Sequence, residues 1–147
     1  MTEWTPSMVE ERLIEAAAIL RRLPTSRTQG YFNTWPAMVV EFCDLVGQSP
    51  EPMRRGPPSA AAISRMEVAL TWVQWLECED AKLLWMRAER KSWKEICWRF
   101  GIARATANLR MEYALSVIVW KLNRRPLPSK WTRRFLVNRV RFLSREF

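Results

Sequence analysis

A chain of 147 residues that is 48% apolar and 27% charged can build one compact core, or two small helical units sharing one, and nothing larger. No apolar run approaches the roughly 20 residues of a membrane span, and the acidic start MTEWTPSMVEERL lacks the basic region and apolar block of a secretory leader, so a cytoplasmic protein with no membrane contact is expected. The net charge of +9 divides unevenly, with 7 basic and 11 acidic side chains in residues 1–81 (−4) and 17 basic and 4 acidic in residues 82–147 (+13), which directs any polyanionic partner to the second half.

Thr5 followed by Pro6 reads as the N-cap and first position of a helix. Glu10 and Glu11 lie in its early turns, Arg21 and Arg22 in its last, and Pro24 ends it. Val9, Leu13, Ala16, Ala17 and Leu20 form its apolar stripe. GYFNTWP then leads into a second short helix from Pro36 to about Val46, with Val39, Phe42, Cys43 and Val46 on one face. Residues 47–58, GQSPEPMRRGPP, carry four prolines and two glycines and disfavour both helix and strand. This divides the chain into an N-terminal helical unit with its linker (1–58), a central unit (59–123) and a C-terminal segment (124–147). Ser59 opens a helix to about Glu77, in which Ile63, Met66, Leu70 and Val73 face one way and Val68, Trp72 and Trp75 another. Such a helix is expected to be buried on two sides. Glu79 and Asp80 begin a short helix through Ala88. The fold class is therefore all-α throughout.

KSWKEICWRFGIARATANLRMEYALSVI, residues 91–118, departs from generic helix. Ser92 and Glu95 form a capping box, each side chain reaching the other's amide. Gly101 can take the left-handed backbone that a sharp interhelical turn demands. Ile96, Cys97, Phe100, Ile102 and Ala107 are apolar or small where a helix-turn-helix needs them to be. The stripe continues through Met111, Ala114, Leu115, Ile118 and Leu122, so the rear of the second helix is buried. Its first turns project Arg104, Ala105, Thr106, Asn108 and Leu109, and a helix presented end first can enter a major groove. There arginine pairs with guanine, asparagine with adenine, and small apolar groups touch thymine methyls. Ser92, Lys94, Arg99 and Arg110 are placed for phosphates, which position a protein without reading sequence. The same spacing also suits a plain helical corner.

Other residues carry less. Three cysteines, Cys43, Cys78 and Cys97, with no CxxC spacing and no histidine, do not compose an ordinary zinc site and are expected to be reduced core thiols. Most of the nine tryptophans read as core anchors, with Trp93 and Trp98 undecided. The acidic run Glu77, Glu79, Asp80 suits a helix N-terminus better than a nuclease metal site. The four glycines form no phosphate-cradling loop, and the commonest general base is absent. Neither a cofactor nor an enzymatic activity is expected.

After NRRPLP, Ser129 can cap a last helix whose stripe is Leu136, Val140, Leu143 and Phe147, with Trp131 and Phe135 at its start. Residues 121–147 hold 9 basic side chains against one acidic. The expected arrangement docks the stripe on the core and turns Arg133, Arg134, Arg139 and Arg141 toward DNA phosphates. A partner or dimer contact is the alternative use of such a helix.

The stretch around Gly101 resembles the promoter-reading helix-turn-helix in the fourth region of bacterial sigma factors, through Glu95, Ile96, Gly101, Ile102, Arg104, Thr106, Arg110, Ala114 and Leu115. Ala103 stands where a capping serine is usual, and no other sigma region is recognisable upstream. The resemblance therefore implies a shared reading head and not a sigma factor. Over a longer span, EWTPSMVEERLIEAA, LRRLP, GYFNTWP and RRGPPSAAAISRM look like a family of small helix-turn-helix proteins encoded in alphaproteobacterial prophages, which implies a phage-related setting. The expectation is a sequence-specific, double-stranded-DNA-binding transcription regulator, with a homo-oligomer or an RNA polymerase contact through its N-terminal helices. The alternatives are a DNA-packaging subunit of the small-terminase kind or replication accessory, and an adaptor that binds RNA polymerase or another host protein.

Overall fold

The computed structural model describes residues 3–23, 56–128 and 130–144. Among them are six helices: α1 (Pro6–Leu20), α2 (Ala60–Val73), α3 (Cys78–Ala88), α4 (Trp93–Phe100), α5 (Arg104–Leu122) and α6 (Arg133–Leu143). The described residues contain no strand, and the protein is all-α. The helix expected near residues 36–46 and most of the proline-rich linker lie outside the described residues.

Helix α5 is the axis of the fold. Its residues Ala114 to Trp120 are buried without a break, enclosed by neighbours that include α1, α3, α4 and α6. Two polar groups go inside with them and both are satisfied: the Ser116 hydroxyl donates to the Glu112 carbonyl at 2.7 Å, and Trp120 Nε1–H donates to the Pro126 carbonyl at 2.9 Å. The other helices contribute fully buried side chains to the same core, Val9 and Leu13 from α1, Leu83 and Leu84 from α3, Ile96 from α4 and Leu136 from α6. This core runs across both expected boundaries, at residues 58 and 123.

Capping side chains start four of the six described helices. The Thr5 hydroxyl accepts from the Met8 amide with Pro6 at the first position, and the Ser59 hydroxyl accepts from the Ala62 amide at 3.3 Å. The stripe of α1 holds through Ala17 and then shifts: Ile19 is buried while Leu20 is 42% exposed. After Leu20 the chain tightens, with the Arg22 amide donating to the Ile19 carbonyl at 2.9 Å, and the narrower turn brings Leu23 onto the core. Helix α2 stops at Val73, short of the expected Glu77, and among the described residues it is buried on one face. Met66, Ala69 and Trp72 point inward, whereas Val68 and Trp75 are exposed. Its packing on α1 is fastened by Arg65, whose Nε and guanidinium nitrogen donate to Glu15 Oε1 at 3.1 and 2.7 Å. Those hydrogen bonds hold the Glu15 carboxyl below its ordinary range.

The N-terminal segment is strapped to the end of α5. Asn123 accepts from the Trp4 amide at 2.9 Å and donates to the Trp4 carbonyl at 3.1 Å, while Glu3 pairs with Arg125. Trp4 meets Trp72 edge to face at 5.2 Å. At the other end of the chain, α6 is capped by Thr132, which accepts from the Phe135 amide; the expected cap, Ser129, lies outside the described residues. It docks through Leu136, Val137 and Val140, with Trp131 wedged between Trp120 and Phe135 at 5.2 and 4.8 Å.

Three helices end in left-handed residues: Arg90 after α3 (φ 62°), Gly101 after α4 (φ 63°) and Arg124 after α5 (φ 54°). At each, the next amide reaches back to close the last turn, as Ile102 does to the Cys97 carbonyl at 3.2 Å. Only at Gly101 is the residue free of Cβ strain. Because a Cβ at Gly101 meets nothing within 4 Å, the effect of Gly101→Ala is backbone strain alone. A urea titration should show about 1–2 kcal/mol of lost stability. Arg124→Gly should raise stability by a few tenths to about 1 kcal/mol in the same measurement.

Candidate nucleic-acid interface

The corner between α4 and α5 is held from inside by Ile96 and Ala107, both fully buried, with Cys97, Phe100 and Ile102 packed around them. All five positions singled out in the sequence therefore face the core. The Ser92 hydroxyl accepts from the Glu95 amide at 3.2 Å, so the N-cap is formed. The reciprocal half of the capping box is not: Glu95 takes Lys91 Nζ at 3.2 Å instead, a side-chain pairing that leaves the carboxylate in solvent. Ala103 precedes α5 with no side-chain cap.

With the corner fixed, the first two turns of α5 stand clear of the core. Arg104, Ala105, Thr106, Asn108 and Leu109 are all exposed, Leu109 at 62%. Two of them are already oriented. The Arg104 guanidinium lies 5.9 Å from the centre of the Trp93 ring, which also carries Arg87 at 4.9 Å. Asn108 Nδ2–H donates to Glu112 at 3.3 Å. Trp93 is thus half-buried and structural, whereas Trp98 on the same helix is 86% exposed. Cys78 is exposed at the start of α3, not buried in the core as expected.

The cations divide into two groups. Lys94, Arg99, Arg104, Arg134 and Arg139 are exposed and have no carboxylate partner among the described residues. Arg110, Arg133 and Arg141, read from sequence as phosphate contacts, are each held by carboxylates. Arg110 pairs with Glu79 at 3.0 Å, Arg133 with Glu77 at 3.0 Å and Asp80 at 3.7 Å, and Arg141 with Glu112 at 2.7 Å. The guanidinium of Arg133 also covers the Tyr113 ring at 4.8 Å. The acidic run that opens α3 is explained by these pairs. Sequence reasoning missed Glu112 and its role. The only available signal was the eight-residue spacing of Arg133 and Arg141, which puts both on one face of α6.

Between α5 and α6 these pairs frame an open groove of about 660 Å³, into which Thr106, Leu109 and Tyr113 project from α5 and Arg134, Val137 and Asn138 from α6. Arg139 is not on it. Asp80, which Arg133 approaches at 3.7 Å, is 3% exposed, with Oδ2 lacking a hydrogen bond. Burial raises its carboxyl above the ordinary range, against the opposing pull of Arg133 and Arg110.

The fold and this surface define a small all-helical protein with a cationic helical corner. The chain belongs to the family described as a domain of unknown function, DUF6362, whose model matches residues 21–118 and so takes in α2, α3, α4 and most of α5, leaving α1 and α6 outside the match. No curated protein and no solved structure matches the chain.

A carboxyl whose folded-state affinity for protons is raised above the unfolded one opposes folding once ionised, and the opposition fades as pH falls through its folded-state pKa. Asp80→Asn should therefore raise the melting temperature at neutral pH. The advantage over the parent protein should shrink as the pH is lowered into the range where Asp80 takes up its proton.

Proposed function

We propose that the protein is a sequence-specific binder of double-stranded DNA, acting as a transcription regulator with α4 and α5 as a helix-turn-helix and α5 as the reading helix. One observation carries the reading: the first turns of α5 expose Arg104, Ala105, Asn108 and Leu109 together, beside a corner whose buried side supplies all the packing. None of those four is needed for the core, and the set combines guanine, adenine and thymine-methyl chemistry. Lys94, Arg99, Arg134 and Arg139 supply phosphate contacts without rearrangement. The resemblance to the sigma-factor reading head supports the same assignment and fits a phage-type regulator. Binding as a homo-oligomer doubles the contact surface, as palindromic operators require.

A second reading has one observation in its favour. Trp98, 86% exposed on α4, is the kind of residue that anchors a protein partner, which suits an adaptor docking on RNA polymerase.

Binding to duplex DNA decides between them. If Lys94, Arg99, Arg134 and Arg139 each meet a phosphate, the log–log plot of affinity against salt should fall with a slope of about −3 to −4 or steeper. Arg104→Ala and Asn108→Ala should each weaken the cognate site by about 1–3 kcal/mol and leave random DNA nearly untouched, while Lys94→Ala weakens both alike. Equal losses on cognate and random DNA, or no binding at low salt, refute the assignment.

A further inference from the structure

The carboxylates around the groove suggest what it holds. Its two sides carry Arg110 from α5 and Arg133, Arg134 and Arg141 from α6, its floor of Leu109, Tyr113 and Val137 is apolar, and Glu112 is the single carboxylate on its lining. Glu77 and Glu79 hold their arginines from outside it and are 73% and 70% exposed. Ion pairs as open as these contribute little to stability, so a competing anion can take over the arginine at small loss. Phosphate is such an anion, because its oxygens accept the planar guanidinium fork as a carboxylate does.

We propose that the groove between α5 and α6 seats one sugar-phosphate strand of duplex DNA, and that Glu77, Glu79 and Glu112 are placeholders that hold Arg133, Arg110 and Arg141 ready until phosphates replace them. The inference rests on the DNA-binding reading above. A major groove about 12 Å wide admits one helix, so with α5 inside it α6 has to lie across the adjoining strand, and that strand then runs between the two. Arg134 has no carboxylate to release among the described residues and makes the first phosphate contact. Arg110, Arg133 and Arg141 follow by exchange. Tyr113 and Val137 face the deoxyribose edges, which need no hydrogen bonds from them, while Leu109 stays with the reading end of α5. The placeholders also serve the free protein: without them, three guanidinium groups would crowd one groove and repel one another.

The test is fluorescence anisotropy of a labelled mixed-sequence duplex against the full chain and variants that remove a placeholder. Glu77→Gln combined with Glu112→Gln should tighten binding roughly tenfold, because Arg141 no longer has to leave a carboxylate and Arg133 keeps only the more distant Asp80, at 3.7 Å. The control Glu11→Gln with Glu67→Gln makes the same change in charge on α1 and α2, and should shift affinity less than about twofold. If the first pair loosens α6 enough to lower the melting temperature steeply, Glu79→Gln alone gives the same sign, since its partner Arg110 is on α5. In the opposite direction, Arg133→Gln and Arg141→Gln should each flatten the salt slope by about 0.9, which a purely structural arginine would not do. Parent protein that binds DNA, with placeholder variants that bind no tighter and arginine variants of unchanged slope, overturns the exchange and leaves the DNA-binding reading standing. A parent protein that binds no duplex refutes that reading itself.

Discussion

One helix has to satisfy two environments, and the fold is the solution to that constraint. Residues Ala114 to Trp120 of α5 are buried, so their hydrogen-bonding side chains must find partners inside the protein, which Ser116 and Trp120 do. Over the first half Ala107 and Met111 are buried, Tyr113 is partly buried against the core, and the rest is at least partly open among the described residues. A helix gripped over its rear turns and free over its front turns behaves as a rigid peg: the exposed end cannot rotate without disrupting packing that involves α1, α3, α4 and α6. The orientation of Arg104 against Trp93 adds local order to that global order. Whatever the exposed end meets, it meets it without an ordering step, and that keeps the entropic loss on association small.

The parts of this arrangement that were legible in the sequence are the local ones. Thr5 with Pro6, Ser59, Ser92 and Gly101 each act through atoms within a few residues, so their chemistry is written in short spacing. The exposure of Arg104, Ala105, Thr106, Asn108 and Leu109 also followed, because they fall off a stripe that Ala107 and Met111 define. What failed depended on the lengths and positions of other helices. Leu20 continues the α1 stripe but is the last residue of the helix and is exposed, and Leu23 comes onto the core in the tightened turn that follows. Val68 and Trp75 are apolar at helical spacing, yet nothing among the described residues encloses them as it does Met66 and Trp72. Thr132 caps α6, and its neighbour Trp131 is held against Trp120, a contact that spacing along the chain does not reveal.

The site shows the same limit more sharply. Read along the chain, Arg133 is one of a run of C-terminal cations and Glu77 one of a run of acids, 56 residues apart. Periodicity puts Arg133 on a face of α6, but only the docking of α6 over α5 decides that this face meets the start of α3. Patterns that act within one helix can be read from spacing; partners on separate helices depend on how those helices pack.

The division of charge along the chain is accordingly not a division in space. Glu3, Glu77, Glu79 and Asp80 belong to the acidic half, and they sit on Arg125, Arg133 and Arg110 of the basic half. Glu112 treats Arg141 the same way within the basic half. Part of the +13 is therefore offset at short range in the free protein, and the field that reaches solvent comes from cations left without carboxylates among the described residues, including Lys94, Arg99, Arg104, Arg134 and Arg139. Long-range attraction depends on this unscreened remainder, because paired charges look like dipoles beyond a Debye length of about 8–10 Å. Close contact is different: an anion within hydrogen-bond reach competes directly for the paired guanidinium groups, and the number of charges that take part is larger than the number that draw it in. A cationic surface built this way is modest at a distance and strong on contact, which limits indiscriminate association with polyanions while preserving a tight fit for one whose phosphates match the spacing of the arginines.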